Sequence, residues 1–194
     1  MKRRLSALSL LFLLPLGACG YNRIQTLDEA AASTQGNIEN QLQRRADLIP
    51  NLVSTVKGYA QHEEEVFTKV AEARAGLKSA VDQKDPEAEA NANTQLTSAI
   101  GRLLVVAEAY PQLKADQGFL NLQAELTGTE NRIAVARTDY NNAVNSYNAY
   151  IRQFPAVMTA KVTGAKPRKY FQSSAEAQQG PPKVDFSKPP AKTP

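Results

Sequence analysis

His62 is followed by Glu63, Glu64 and Glu65, and a His-Glu step on a helix is how zinc-protease motifs begin. That chemistry needs a second histidine four residues on, so that two imidazoles share one helix face, and position 66 is Val. The chain has one His and one Cys, so carboxylates would have to complete any metal site, and no metal or cofactor is expected. His62 reads as a surface or hydrogen-bonded structural residue. The second constellation is Gln43-Arg44-Arg45-Ala46-Asp47, just ahead of Pro50. Adjacent helical residues point ~100° apart, so only one of the two arginines can enter a given core face. A pair with Glu125, Glu130 or Asp139 would fix helix register, and an exposed arrangement would make a recognition patch for a protein. Register is the favoured role for Arg44, Arg45 and Asp47. Tyr140-Asn141-Asn142, Tyr147-Asn148 and Tyr150 could form a carbohydrate ladder, but Tyr140 and Tyr147 fall on an apolar stripe where packed tyrosines are expected. There is no nucleophile–base–acid set and no phosphate-cradling glycine loop, so no catalytic residue is expected.

The sole cysteine, Cys19, ends a segment of its own. Lys2, Arg3 and Arg4 precede a short apolar stretch from Leu5 to Leu14, then Pro15-Leu16-Gly17-Ala18. A basic start, an apolar middle and small residues at the end are the parts of an export signal. The stretch is short of the ~18 apolar residues that span a bilayer. Cys19 directly after Leu-Gly-Ala resembles the bacterial lipoprotein signal. That resemblance implies cleavage before Cys19 and lipid on its thiol and new amino group. Gly20 in the next position, rather than Asp, implies sorting to the outer membrane, with the protein facing the periplasm.

These residues must be positioned by helices. From Phe119, apolar or small residues recur at Leu122, Leu126, Thr129, Ile133, Ala136, Tyr140, Ala143, Tyr147, Tyr150 and Phe154, a 3-4 spacing that predicts one long helix over about 117–154. Pro86 with Glu87 and Glu89 predicts a helix start, continued by Leu96, Ile100, Leu103 and Tyr110 until Pro111. Upstream, Leu52, Val56, Phe67, Val70 and Leu77 carry the same period, and Ile24, Leu27, Ala31, Ile38 and Leu42 form a thinner stripe. Pro50 predicts a kink or a break, with Asp47 able to cap a new start. The fold class is therefore all-α: an elongated antiparallel bundle of about four long helices, with a disordered Pro-rich C-terminal tail. The expected boundaries are a signal peptide at 1–18, a helical domain at 19–163 and a basic tail at 164–194. A stripe of this length also leaves self-association open.

The formal charge of +4 divides unevenly. Residues 1–18 hold three bases, residues 19–155 hold 13 bases against 17 acids, and the remainder holds seven bases against two acids. An acidic body argues against nucleic acid as a partner. The tail from Gly164 carries six of the 11 prolines and reads as disordered.

Two blocks resemble the LemA family. One is Gln41-Leu-Gln-Arg-Arg-Ala-Asp-Leu-Ile-Pro-Asn-Leu-Val53, with Thr55-Val-Lys-Gly-Tyr-Ala60 and His62-Glu63. The other runs through Leu122-Gln-Ala-Glu-Leu126, Thr129-Glu-Asn-Arg-Ile-Ala134, Tyr140-Asn141, Tyr147-Asn148 and Phe154-Pro155. Tyr21-Asn22 and Pro182-Lys-Val-Asp-Phe186 also fit. The departures are local: no tryptophan stands near Gln35, and Ala165 rather than an aromatic follows Gly164. The resemblance implies a helical, membrane-attached protein, commonly with an N-terminal spanning segment that a lipoprotein signal replaces here. It implies no particular reaction. The expected function is a lipid-anchored binding or scaffold component of the bacterial envelope, joined to the membrane through Cys19 and to an unknown envelope protein. The alternative is an accessory modulator of a membrane-bound enzyme or an envelope-stress or proteolytic system.

Overall fold

The computed structural model describes residues 14–173, with side chains from Gly20 onward. Among these residues every element is a helix. In chain order they are α1 (Leu14–Lys57), α2 (Glu64–Gln83), α3 (Pro86–Glu108), the single turn α4 (Pro111–Lys114), α5 (Gln117–Tyr150) and α6 (Ala156–Thr163). The boundaries have local causes. Asp85 accepts a hydrogen bond from the Glu87 amide at 3.1 Å with Pro86 in the first turn, where no donor is needed. Asp116 caps α5 by accepting from the Phe119 amide at 2.8 Å. Lys84 ends α2 in the left-handed region at φ 53°, a conformation that a side chain disfavours.

α1 is the spine. α5 lies antiparallel to it along its length, with Ile24 beside Tyr147 and Ile151 at one end and Arg45 beside Glu130 further down. α2 and α3 form an antiparallel hairpin that covers only the lower half of α1, from about Gln35 to Lys57. There the four helices share one core that includes Leu42, Leu52, Leu77, Leu96 and Leu103, all 0% exposed. Truncating one of these leucines to Ala would cost ~2–5 kcal/mol. At ~1.5 Å per residue, α2 and α3 are far shorter than α1 and α5, so the upper part of the α1–α5 stripe needs other cover. α6 and the chain that follows it provide this cover. Ala160 of α6 packs with Ile24, Tyr147 and Ile151, and Phe171 joins the main core at 2% exposure.

Three expectations change. α1 runs through Pro50 without a break, and Asp47 starts no new helix. Proline removes the donor that would have met the carbonyl of Ala46, and Arg74 of α2 replaces it, with its Nε 2.7 Å from that oxygen. The chain turns instead at Gly58–Glu63, starting at a poor helix former. The last long helix stops at Tyr150, and Phe154, placed on the apolar stripe by spacing, is 84% exposed. Finally, residues 164–173, assigned by composition to the tail, pack on the bundle, whereas residues 174–194 lie outside the described part.

Candidate functional site

Two polar clusters are built into the bundle, and the motif before Pro50 supplies the first. Arg45 is 3% exposed, and its guanidinium donates to Asn93 Oδ1 at 2.6 Å and Thr97 Oγ1 at 3.0 Å on α3. The same group pairs with Glu130 on α5 at 2.5 Å. One side chain thus ties α1, α3 and α5 at one level. Burial draws the Arg45 pKa below its ordinary value, and the Glu130 charge and hydrogen bond oppose that shift. Its Nε remains buried without a partner. Arg44 points out: 57% exposed, it lies 3.9 Å from Glu125, itself 52% exposed. Asp47 is also exposed and accepts from the Gln43 amide at 2.9 Å. The structure brings Arg45 and Arg44 to two of the carboxylates considered for them. Asp139 lies apart, on an open groove of about 380 Å³ between α1 and α5 that Asn37, Gln41 and Arg132 also line.

The second cluster was not foreseen. After α6 the chain returns along α5 as a strap over residues 168–173. Asn148 accepts from the Arg168 amide at 2.8 Å and donates to the Arg168 carbonyl at 2.9 Å. Asn141, seven residues earlier, does the same for Phe171, at 2.9 and 3.3 Å. Between them the Tyr140 hydroxyl donates to the Lys169 carbonyl at 2.8 Å. Each asparagine therefore meets a backbone N–H and C=O much as a neighbouring strand would. Side chains of the strap reach outward: Arg168 pairs with Asp28 on α1 at 2.7 Å, and Lys169 with Asp85 at the start of α3 at 2.8 Å. The Asp28 hydrogen bond raises the Arg168 pKa, and the Lys169 hydrogen bond holds Asp85 below the usual carboxylate range. The sequence signal was the Tyr-Asn pair repeated one heptad apart, which puts both asparagines on one face of α5.

Next to the strap, Glu89 of α3 is 0% exposed, with neither carboxylate oxygen hydrogen-bonded. Burial first, then the Glu39 charge, push its pKa up to about 7. Burial also pushes Tyr140 up to about 12. Glu89 stands one heptad before Leu96 and two before Leu103, so its core position was readable from the spacing.

His62 is exposed on the α1–α2 turn. Among the described residues no group of three His, Cys, Asp or Glu side chains is placed to hold a metal ion. No described helix is long and apolar enough to cross a membrane. Cys19 falls in the backbone of α1, but its side chain lies outside the described ones, next to Gly20, which packs on Thr159 of α6.

The lower half of the spine with its Arg45 tie, the Tyr-Asn repeat and the strap lie within residues 34–186, over which the chain matches the LemA family model. The chain belongs to the LemA family. It is also similar to Magnetosome protein MamQ 2 of Paramagnetospirillum magneticum, at 30% identity over 78% of this chain and 64% of that protein. Magnetosome protein MamQ of Magnetospirillum gryphiswaldense is 28% identical over 86% of this chain and 70% of its own. Protein LemA of Metamycoplasma hominis is 32% identical over 57% of this chain and 49% of its own. The chain thus spans about 64% of the length of the first of these relatives.

Proposed function

We propose that this LemA-family protein is a lipid-anchored, non-catalytic helical scaffold of the bacterial envelope, held through Cys19 and facing the periplasm from the outer membrane. The observation that carries the reading is the position of Cys19. It follows an export-type segment and directly precedes Gly20, which is buried beside α6. Several acyl chains on one residue, each buried CH₂ contributing ~0.8 kcal/mol, would hold the protein durably at a membrane. From Gly20, α1 would then hold the four-helix region between roughly 20 and roughly 55 Å outward. A binding role is supported by the use of the buried polar groups, since Arg45, Asn141 and Asn148 join elements of the fold to one another. Arg45 serves register; Arg44 and Asp47 are the part of that motif open to a protein partner.

The test is labelled-palmitate incorporation in cells, with Cys19→Ser as the control. Wild-type protein is expected to take up label and fractionate with outer membranes, and the variant to do neither. Label that survives in Cys19→Ser would refute the anchor. Cross-linking in intact cells is expected to recover one defined protein; recovery of lipid alone would rule out the scaffold.

A further inference from the structure

α6 has an outer face that the bundle does not use. Ala156 and Ala160 are buried, Ala160 against Ile24, Tyr147 and Ile151, and Thr159 faces Gly20, where an added Cβ would stand 3.3 Å from its hydroxyl. On the opposite side, Met158 is 60% exposed and Val162 is 89% exposed, four residues apart and so on one face. Phe154, in the turn that leads into α6, adds a third large apolar side chain at 84% exposure. These are three of the nine large apolar side chains that the described residues expose, gathered within nine positions. The flanking charges have one sign: from Ile151 to Pro167 the chain holds Arg152, Lys161 and Lys166 and no acid, and all three bases are exposed.

Apolar tips flanked by bases are the chemistry of a surface that lies in the headgroup layer of an anionic bilayer. Place in the fold points the same way, because the face sits at the end of α1 beside Gly20, the immediate neighbour of Cys19. We infer that the outer face of α6, Met158 with Val162, together with Phe154 in the turn before it, is a second membrane contact that inserts into an anionic lipid surface beside the anchor. This rests on the anchored reading above and adds an orientation to it. One attachment point leaves a rod free to swivel; a second, displaced from it, fixes which side of the bundle faces the lipid.

The chain has no Trp, so a tryptophan placed on the face is a unique reporter. Val162→Trp and Met158→Trp would be made in the full lipoprotein and reconstituted into phosphatidylethanolamine–phosphatidylglycerol vesicles containing acyl-brominated lipid. Val105→Trp, at the far end of α3 and on a site 68% exposed, is the reference. An inserted face lies about 5–10 Å into the headgroup–acyl boundary, so the two α6 reporters should shift to the blue and be quenched ~2-fold or more, with Val105→Trp unchanged. Protein that floats with the vesicles while all three reporters stay unquenched overturns the inference and leaves the anchor standing. Quenching in protein whose intact mass shows no lipid on Cys19 upholds the face and removes the anchor. Blue-shifted emission that depends on protein concentration and not on lipid would mean that a second copy covers the face, which also overturns it.

Discussion

Replacing Arg45 and replacing Arg44 should differ several-fold in cost, although the two are sequence neighbours with carboxylate partners on the same helix. Arg45→Met removes the buried guanidinium that ties half-buried Asn93, exposed Thr97 and half-exposed Glu130 together, for an expected loss of ~1.5–3 kcal/mol in chemical denaturation. Arg44→Ala removes an exposed pair 3.9 Å long and should stay within ~0.5 kcal/mol. Equal losses would refute the assignment of register to Arg45 alone. Glu89 makes a prediction with a sign. Its pKa rises from an ordinary 4.5 to about 7 on folding, so between those values the native state binds the extra proton. Stability is therefore lost as pH climbs from ~4.5 to ~7, by an amount on the order of 3 kcal/mol. Glu89→Gln cannot ionise and should raise the Tm at pH 8 much more than at pH 5. A gain independent of pH would mean that the carboxyl is not the titrating group.

Two elements owe their form to single side chains elsewhere. α1 crosses Pro50 because Arg74 meets the Ala46 carbonyl that proline leaves without a donor. Arg74→Met should cost ~1–3 kcal/mol and speed amide exchange in α1 around residues 46–54, with α5 unaffected. The strap depends likewise on the asparagines of α5. Asn141→Ala with Asn148→Ala removes four strap hydrogen bonds, and hydrogen exchange should then find the Arg168 and Phe171 amides unprotected while those of α5 stay slow. Loss of protection throughout α5 would mean that strap and bundle unfold as one unit.

At the scale of the whole molecule, the mismatch in helix length governs the architecture. The hairpin of α2 and α3 ends near the middle of α1, and α6 with the strap closes the rest of the α1–α5 stripe. The ion pairs of Arg168 with Asp28 and Lys169 with Asp85 join this upper cover to the spine and the hairpin. Both strap cations would be lost together by chain termination before residue 168. Such a truncation should lower the Tm and expose the top of the core, read as a gain in binding of an apolar dye; unchanged stability would show that the strap is dispensable.

The helical content, the apolar stripes and the helix start at Pro86 were legible in the amino-acid order, because period and first-turn chemistry are local. So was the need for one arginine of the pair at 44–45 to turn inward, since neighbours on a helix cannot share a face. Which arginine, and against what, depended on where α3 and α5 came to lie. The break considered at Pro50 is absent for the same reason: sequence shows the missing donor, and only packing brings Arg74 to replace it. The composition of 164–173 suggested tail, because its partners Asp28, Asn141 and Asn148 are 20 to 140 residues away and no local pattern encodes them. Periodicity determined what each segment of this protein is; the unequal lengths of its helices, known only once they are packed, decided which segments cover one another.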